Sequence, residues 1–214
     1  MMTSMLVSSV VGQTRGIAFF FRAGYSHLNV SEEKMSVMCN PVSSFHKSYY
    51  GIGGEAYLRA DKNVFGWDAM VSTHGPSSSD SSYAEPFIIN SSIKYGFILH
   101  DNRNLILYPA IGVGAGLIGI TTYSQYGHLK KDINTMYVLN PICELSLNAD
   151  KMVYTFANGR ATGAFLFGIR AGYRFSKSSD DWKKVVRVNN SKEKMSLSGY
   201  YLTISLGAGN FRRL

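Results

Sequence analysis

From Gly199 to Phe211 the chain alternates two kinds of side chain: Tyr200, Leu202, Ile204, Leu206 and Ala208 form one series, and Tyr201, Thr203, Ser205, Gly207 and Gly209 the other. Neighbouring side chains of a strand point to opposite faces, so this spacing makes one face greasy and the other mostly small and polar. Four further segments follow the same rule. Ala164 to Phe175 sets Phe165, Phe167, Ile169, Ala171, Tyr173 and Phe175 against Gly168, Arg170, Gly172 and Arg174. Ile17 to Tyr25 sets Ile17, Phe19, Phe21, Ala23 and Tyr25 against Arg22 and Gly24. Tyr50 to Ala60 opposes Ile52, Ala56 and Leu58 to Glu55, Tyr57 and Arg59, and Phe87 to Leu99 opposes Ile89, Ile93, Tyr95, Phe97 and Leu99 to Asn90, Ser92 and Lys94.

Three more segments complete a set of eight: Trp67 to Thr73, Leu105 to Thr122, and Met136 to Asn148, where Pro141 suggests a bulge. An even number of antiparallel strands returns both termini to one side. The connections fall into two kinds. Asp61 to Gly66 and His100 to Asn104 are short, whereas Ser31 to Ser48, His74 to Ala84, Ser124 to Asn134 and Ser176 to Ser196 are long and polar. Short turns alternating with long loops match the periplasmic and extracellular ends of a membrane barrel. Ala149 to Thr162 leaves two readings open, because its place calls for a short turn while Lys151 to Phe156 reads as strand and suits the extension of a neighbouring one.

Alternation alone also suits a soluble sandwich. The polar face decides between them. It carries mainly Gly, Ser and Thr with isolated charges, not the Lys and Glu crowding of a solvated sheet, and such residues fill the bore of eight strands. With 21 Gly, 5 Pro, 14 Tyr, 12 Phe and 17% charged residues, the composition favours strands and aromatic girdles over helices. A mean hydropathy of -0.04 is no objection, since a barrel strand shows lipid only every second residue. The expected fold is therefore all-β: an eight-stranded antiparallel up-and-down transmembrane β-barrel over residues 14–214, with residues 1–13 a signal-peptide remnant or frayed tail. Val10 and Gly12 fit a signal-peptidase site before Gln13, although no Lys or Arg precedes the apolar run.

Under this fold Phe19, Phe21, Ile93, Phe97, Phe165, Phe167, Ile169, Leu202, Ile204 and Leu206 face lipid. Arg22, Glu55, Arg59, Lys94, Glu144, Arg170 and Arg174 form a charge network in the lumen. Unpaired buried charges cost several kcal/mol, and cations outnumber acids in this set, so water, Tyr57 and Asp68 are expected to share the load.

Catalytic, cofactor and metal sites are not expected. The histidines, His27, His46, His74, His100 and His128, lack metal-type spacing. Cys39 and Cys143 form no recognisable motif. His74 near Ser72 and Ser77 is the one hint of a hydrolase. Gly112, Gly114 and Gly116 are strand glycines, not a phosphate loop, because no helix follows them. A net charge of +8 is dispersed rather than striped with aromatics, which argues against nucleic acid. In the last long loop Trp182, Lys183, Lys184 and Arg187 are candidate contacts for lipopolysaccharide or another anionic surface.

Leu107 to Gly116 reads LYPAIGVGAG, which resembles a strand common in the OmpA-like and OmpX-like outer-membrane barrel families. The closing GYYLTISLGAGNF is similar to their C-terminal strand, with Phe211 near the place of the terminal aromatic used in assembly. Arg212, Arg213 and Leu214 follow Phe211, a departure from that pattern. The resemblance implies a monomer in the outer membrane of a Gram-negative-type bacterium, non-enzymatic, serving the envelope or surface interaction such as adhesion through long loops with an unknown extracellular partner. Its alternatives are an enzyme or narrow channel on the same barrel, or an exported lipocalin-like barrel holding an apolar ligand.

Overall fold

The computed structural model describes residues 14–29, 47–74, 77–79, 82–102, 105–126, 129–158, 161–177, 183–184 and 196–213, and its regular elements are all strands. Eight of them carry the fold: β1 (Thr14–Leu28), β2 (Ser48–Ala60), β3 (Asn63–Thr73), β4 (Ser82–Phe97), β5 (Leu105–Tyr126), β6 (Leu129–Asn158), β7 (Ala161–Ser176) and β8 (Gly199–Arg213). Each pairs antiparallel with the next, and β8 closes on β1. Three short pieces attach to this ring: Ser77–Ser79 on β4, His100–Asn102 on β5 and Lys183–Lys184 on β6.

Following paired residues from Gly16 through Arg59, Val64, Gly96, Ala110, Ser146, Gly172 and Tyr201 returns to Ser26, ten residues along the starting strand. With strands about 4.8 Å apart and a rise of about 3.3 Å per residue, that stagger tilts the strands by about 40° and sets a radius of about 8 Å. Side chains fill a bore of that size.

The two faces sort by polarity in the reverse of a soluble barrel. Phe19, Ile93 and Leu206 are 58%, 67% and 66% exposed, while Arg22 and Arg170 are 1% exposed. The lumen is also layered. Phe20, Tyr57, Val64, Ile106, Leu166 and Phe211 pack inside at the short-turn end, and Leu28, Tyr49, Ile88, Ile118, Val138 and Leu197 are buried toward the other. Phe211 thus turns inward and plugs the lumen.

Several sequence expectations change. For Ala149 to Thr162 the strand extension holds and the short turn does not: β6 runs through to Asn158 and pairs with β7 as far as Asn158 with Ala161. Pro141 stays in register with Ala115, and the register shifts instead at Thr122/Tyr123 and Met152/Tyr154. The β6–β7 ladder begins at Ile142, so the proline's missing N–H deprives no partner on that side. The turn from β2 to β3 contracts to Asp61 and Lys62, with Asp61 at φ 55°, a region that Asp tolerates. Ser124 to Asn134 is mostly ladder, because β5 and β6 continue to pair beyond the ring. His100 to Asn104 likewise contains a short strand folded back on β5. Met1 to Gln13, Cys39, His46, His128, Trp182 and Arg187 lie outside the described residues.

Candidate functional site: the charged lumen

The inward positions of six strands, β1 to β4, β6 and β7, meet at mid-height, and there the buried charges form one alternating series. Asp150 is ion-paired with Arg170 (Nη2 to Oδ1, 3.1 Å), and Arg170 reaches Glu55 (Nε to Oε2, 2.8 Å). Glu55 in turn faces Arg22 (3.4 Å), which also engages Asp68. Lys94 joins Asp68 (3.0 Å) to Glu144 (3.4 Å), and Arg174 ends the series on Glu144 (2.7 Å). Four acids thus alternate with four bases, each side chain at most 8% exposed.

Strand pairing dictates this order. Glu144 and Arg174 are direct cross-strand partners, an arrangement that favours opposite charges. Glu55 and Asp68 are also direct partners, and two carboxylates so placed repel unless a cation divides them. Arg22, from the neighbouring β1, contacts both. Hydroxyls complete the shell. Ser92 donates to Asp68 (2.5 Å) and Glu144 (3.2 Å), Arg22 donates to Thr203 (3.0 Å), Arg170 donates to Ser205 (2.7 Å), and Tyr108 donates to Asp150 (3.1 Å). Arg170 stacks over the Phe20 ring at 4.8 Å and Arg174 over Tyr201 at 5.4 Å.

Glycines make the room. A Cβ on Gly168 would fall on Arg170 Nη1 and Ser205 Oγ and lie 2.7 Å from Asp150 Oδ1. On β5, Gly112, Gly114 and Gly116 share the inward face with Tyr108 and Ala110, and a Cβ on Gly114 would strike the backbone carbonyl of Ser91. The GVGAG run therefore serves close packing.

Six of the seven residues assigned to the lumen network from sequence, Arg22, Glu55, Lys94, Glu144, Arg170 and Arg174, stand in this series. Arg59 is inward but sits apart at the short-turn end, paired with Asp101. The excess of cations disappears, because Asp68 and Asp150 supply the missing acids. Tyr57 packs against Phe20 and Tyr108, and its hydroxyl bonds Asp150 at the end of the series. Asp150 and Tyr108 are not among the residues that the sequence pattern singles out. The alternation Glu144, Ser146, Asn148 leads directly to Asp150, so the signal is present, and a strand ended at Asn148 stops one step short of it.

On the exterior all ten lipid-facing candidates point outward: Phe19, Phe21, Ile93, Phe97, Phe165, Ile169, Leu202, Ile204 and Leu206 are exposed and Phe167 half-buried. The outward run from Ile17 to Tyr25 spans about 20 Å along the axis, near the height of a membrane barrel's apolar band. Aromatics with polar partners flank it. Tyr95 donates to Asn63 (2.8 Å) near the short turns, and Tyr25 lies 2.8 Å from Ser48 near the long loops, where His27 stacks on Tyr200 at 4.9 Å. No metal-type cluster of His, Cys, Asp and Glu occurs among the described residues. The Nδ1 of His74 lies 2.5 Å from the Ser48 carbonyl.

No protein-family model and no curated protein matches the chain. Among solved structures it is similar to Ail, the attachment invasion locus protein of Yersinia pestis, at 12% identity and TM-score 0.45, over 94% of this chain and 98% of that one. Neisserial surface protein A matches at 13% identity and TM-score 0.34 over 95% and 99%, and a major outer membrane protein from Thermus thermophilus at 11% and 0.41 over 92% and 99%. Nothing about individual residues carries over at such values. On its own geometry, greasy outside and ion-paired inside a closed antiparallel ring, the chain is an eight-stranded transmembrane β-barrel of the outer-membrane type.

Proposed function

We propose that this barrel resides in the outer membrane of a Gram-negative-type bacterium as a non-enzymatic monomer serving envelope structure or surface interaction of the adhesion type. The observation that carries the reading is the sealed lumen: an alternating ionic series between two apolar plugs leaves the exterior and the loop end as the working surfaces. A second observation favours the loop end. β6 pairs with β7 only from Ile142 onward, whereas its ladder with β5 continues to Leu129 and Tyr126, so part of the sheet stands above the ring. The unidentified extracellular partner belongs to this projecting region. Lipopolysaccharide is the lipid partner proposed there, with Lys183 and Lys184 held against β6 at Tyr137 and Met136.

Expression in a Gram-negative host lacking its own small barrels tests the proposal. Recovery in the outer-membrane fraction with increased adherence to coated surfaces, or with restored resistance to detergents, is the expected outcome. Steady conductance in planar bilayers would transfer the reading to a narrow channel, and a mass shift in purified lipid A would transfer it to an enzyme. Recovery in the soluble fraction without detergent would favour a lipocalin-like carrier.

A further inference from the structure

At the short-turn end of the exterior, Arg15 of β1 and Arg212 of β8 are direct cross-strand partners, and both are exposed. Like charges in that position destabilise a ladder. Among the described residues neither guanidinium is held in an ion pair. Asp61, in the adjoining turn, accepts from the backbone N–H of Thr14 (3.0 Å), and Asp101 is engaged by Arg59. Both arginines lie on the lipid-facing side, since the same alternation carries on to Ile17 beside Asn210, Phe19 beside Ala208 and Phe21 beside Leu206. Ala208, two positions above Asn210 on the same face, is flanked in the ladders by Phe19 and Phe165, which are 58% and 56% exposed, so its methyl leaves a gap one residue long between two large rings, bounded above by Leu206.

We propose that Arg15 and Arg212 clamp the phosphodiester of an anionic glycerophospholipid in the leaflet at the short-turn side, with an acyl chain lying over Ala208. The chemistry fits on three counts. Two guanidinium forks present donors matched to phosphate oxygens, and a shared anion removes their mutual repulsion. Arginine stems lie along apolar surface while their heads sit at headgroup depth. Short turns face the periplasm, which places the pair in the phospholipid leaflet, and basic groups at a membrane surface select anionic lipid. The inference rests on the membrane reading of the apolar exterior.

The full chain, folded and placed in nanodiscs of equal parts phosphatidylglycerol and phosphatidylcholine, is released and its retained lipid measured by native mass spectrometry. The native chain is expected to retain phosphatidylglycerol preferentially, and Arg15→Gln with Arg212→Gln to lower that preference about tenfold. Lys177→Gln, an exposed cation at the other end, is expected to leave it unchanged. The mobility difference between unheated and boiled samples verifies folding; the single variants Arg15→Gln and Arg212→Gln, each expected to lose part of the preference, serve if the double variant does not fold. Equal retention of both lipids by an inserted native chain overturns the proposal alone, as does unchanged preference in the folded variants. Inorganic phosphate retained in place of lipid also overturns it. A native chain that stays soluble without detergent removes the membrane reading and this proposal together.

Discussion

Asp68 sits where two cations and a carboxylate converge: it bonds Arg22 and Lys94, accepts from Ser92, and stands opposite Glu55. A third cation, Arg170, lies one step further along, on Glu55. Removing the charge of Asp68 leaves Arg22 and Lys94 underpaired in a site only 2% exposed. Asp68→Asn is expected to cost about 3–5 kcal/mol, the range for breaking a buried pair, read as a lowered urea midpoint for unfolding in detergent. Asp101→Asn removes an acid that is 43% exposed from an Arg59 side chain that is 4% exposed, and a smaller loss of about 1–2 kcal/mol is expected there because solvent screens one side of the pair. A similar loss from both substitutions would contradict the division between lumen and rim. Gly168→Ala is expected to cost about 1–3 kcal/mol by overpacking, since the atoms its Cβ meets are held by the ionic series.

At the scale of elements, β6 shows how a strand is specified by what lies beside it. It has 30 residues, yet only its middle has neighbours on both sides within the ring. The central stretch is legible because Glu144 to Asn148 alternates against Leu145 and Leu147. Beyond it, Leu129 to Asn134 lacks an alternating apolar series and is held by its backbone ladder, while Lys151 to Phe156 reads as strand although the register shift near Met152 breaks the period of two. The outward face of β8 gives the complementary test. Ile204→Arg places a cation in the apolar belt and is expected to cost about 2–4 kcal/mol, whereas Thr203→Ser, one residue away on the lumen side, keeps the hydroxyl that Arg22 bonds and is expected to stay near native stability. Refolding yield into detergent micelles distinguishes the two.

For the molecule as a whole, ring closure leaves no free edge at mid-height and puts eight charges out of reach of water. Folded protein is therefore expected to migrate differently from boiled protein on a denaturing gel. It is also expected to show no steady conductance in planar bilayers, because the ionic series and both apolar plugs occupy a bore of about 8 Å radius. Open-channel currents from the native chain would show that the series parts readily. Currents from the double variant Asp68→Asn with Glu144→Gln alone would show instead that these two acids hold the lumen shut.

Which face of each strand is apolar, how many strands there are and which charges point inward follow from the period of two, since parity along an unbulged strand is a local property. Pairing of those charges is not local. It depends on a stagger of ten residues around the ring, which sets Arg22 between Glu55 and Asp68 and brings Asp150 to Arg170, and stagger is fixed only when the last strand meets the first. Alternation likewise left open which inward side chains are apolar plugs and which are ion pairs, because height along the axis is a sum of tilt and register over all eight strands.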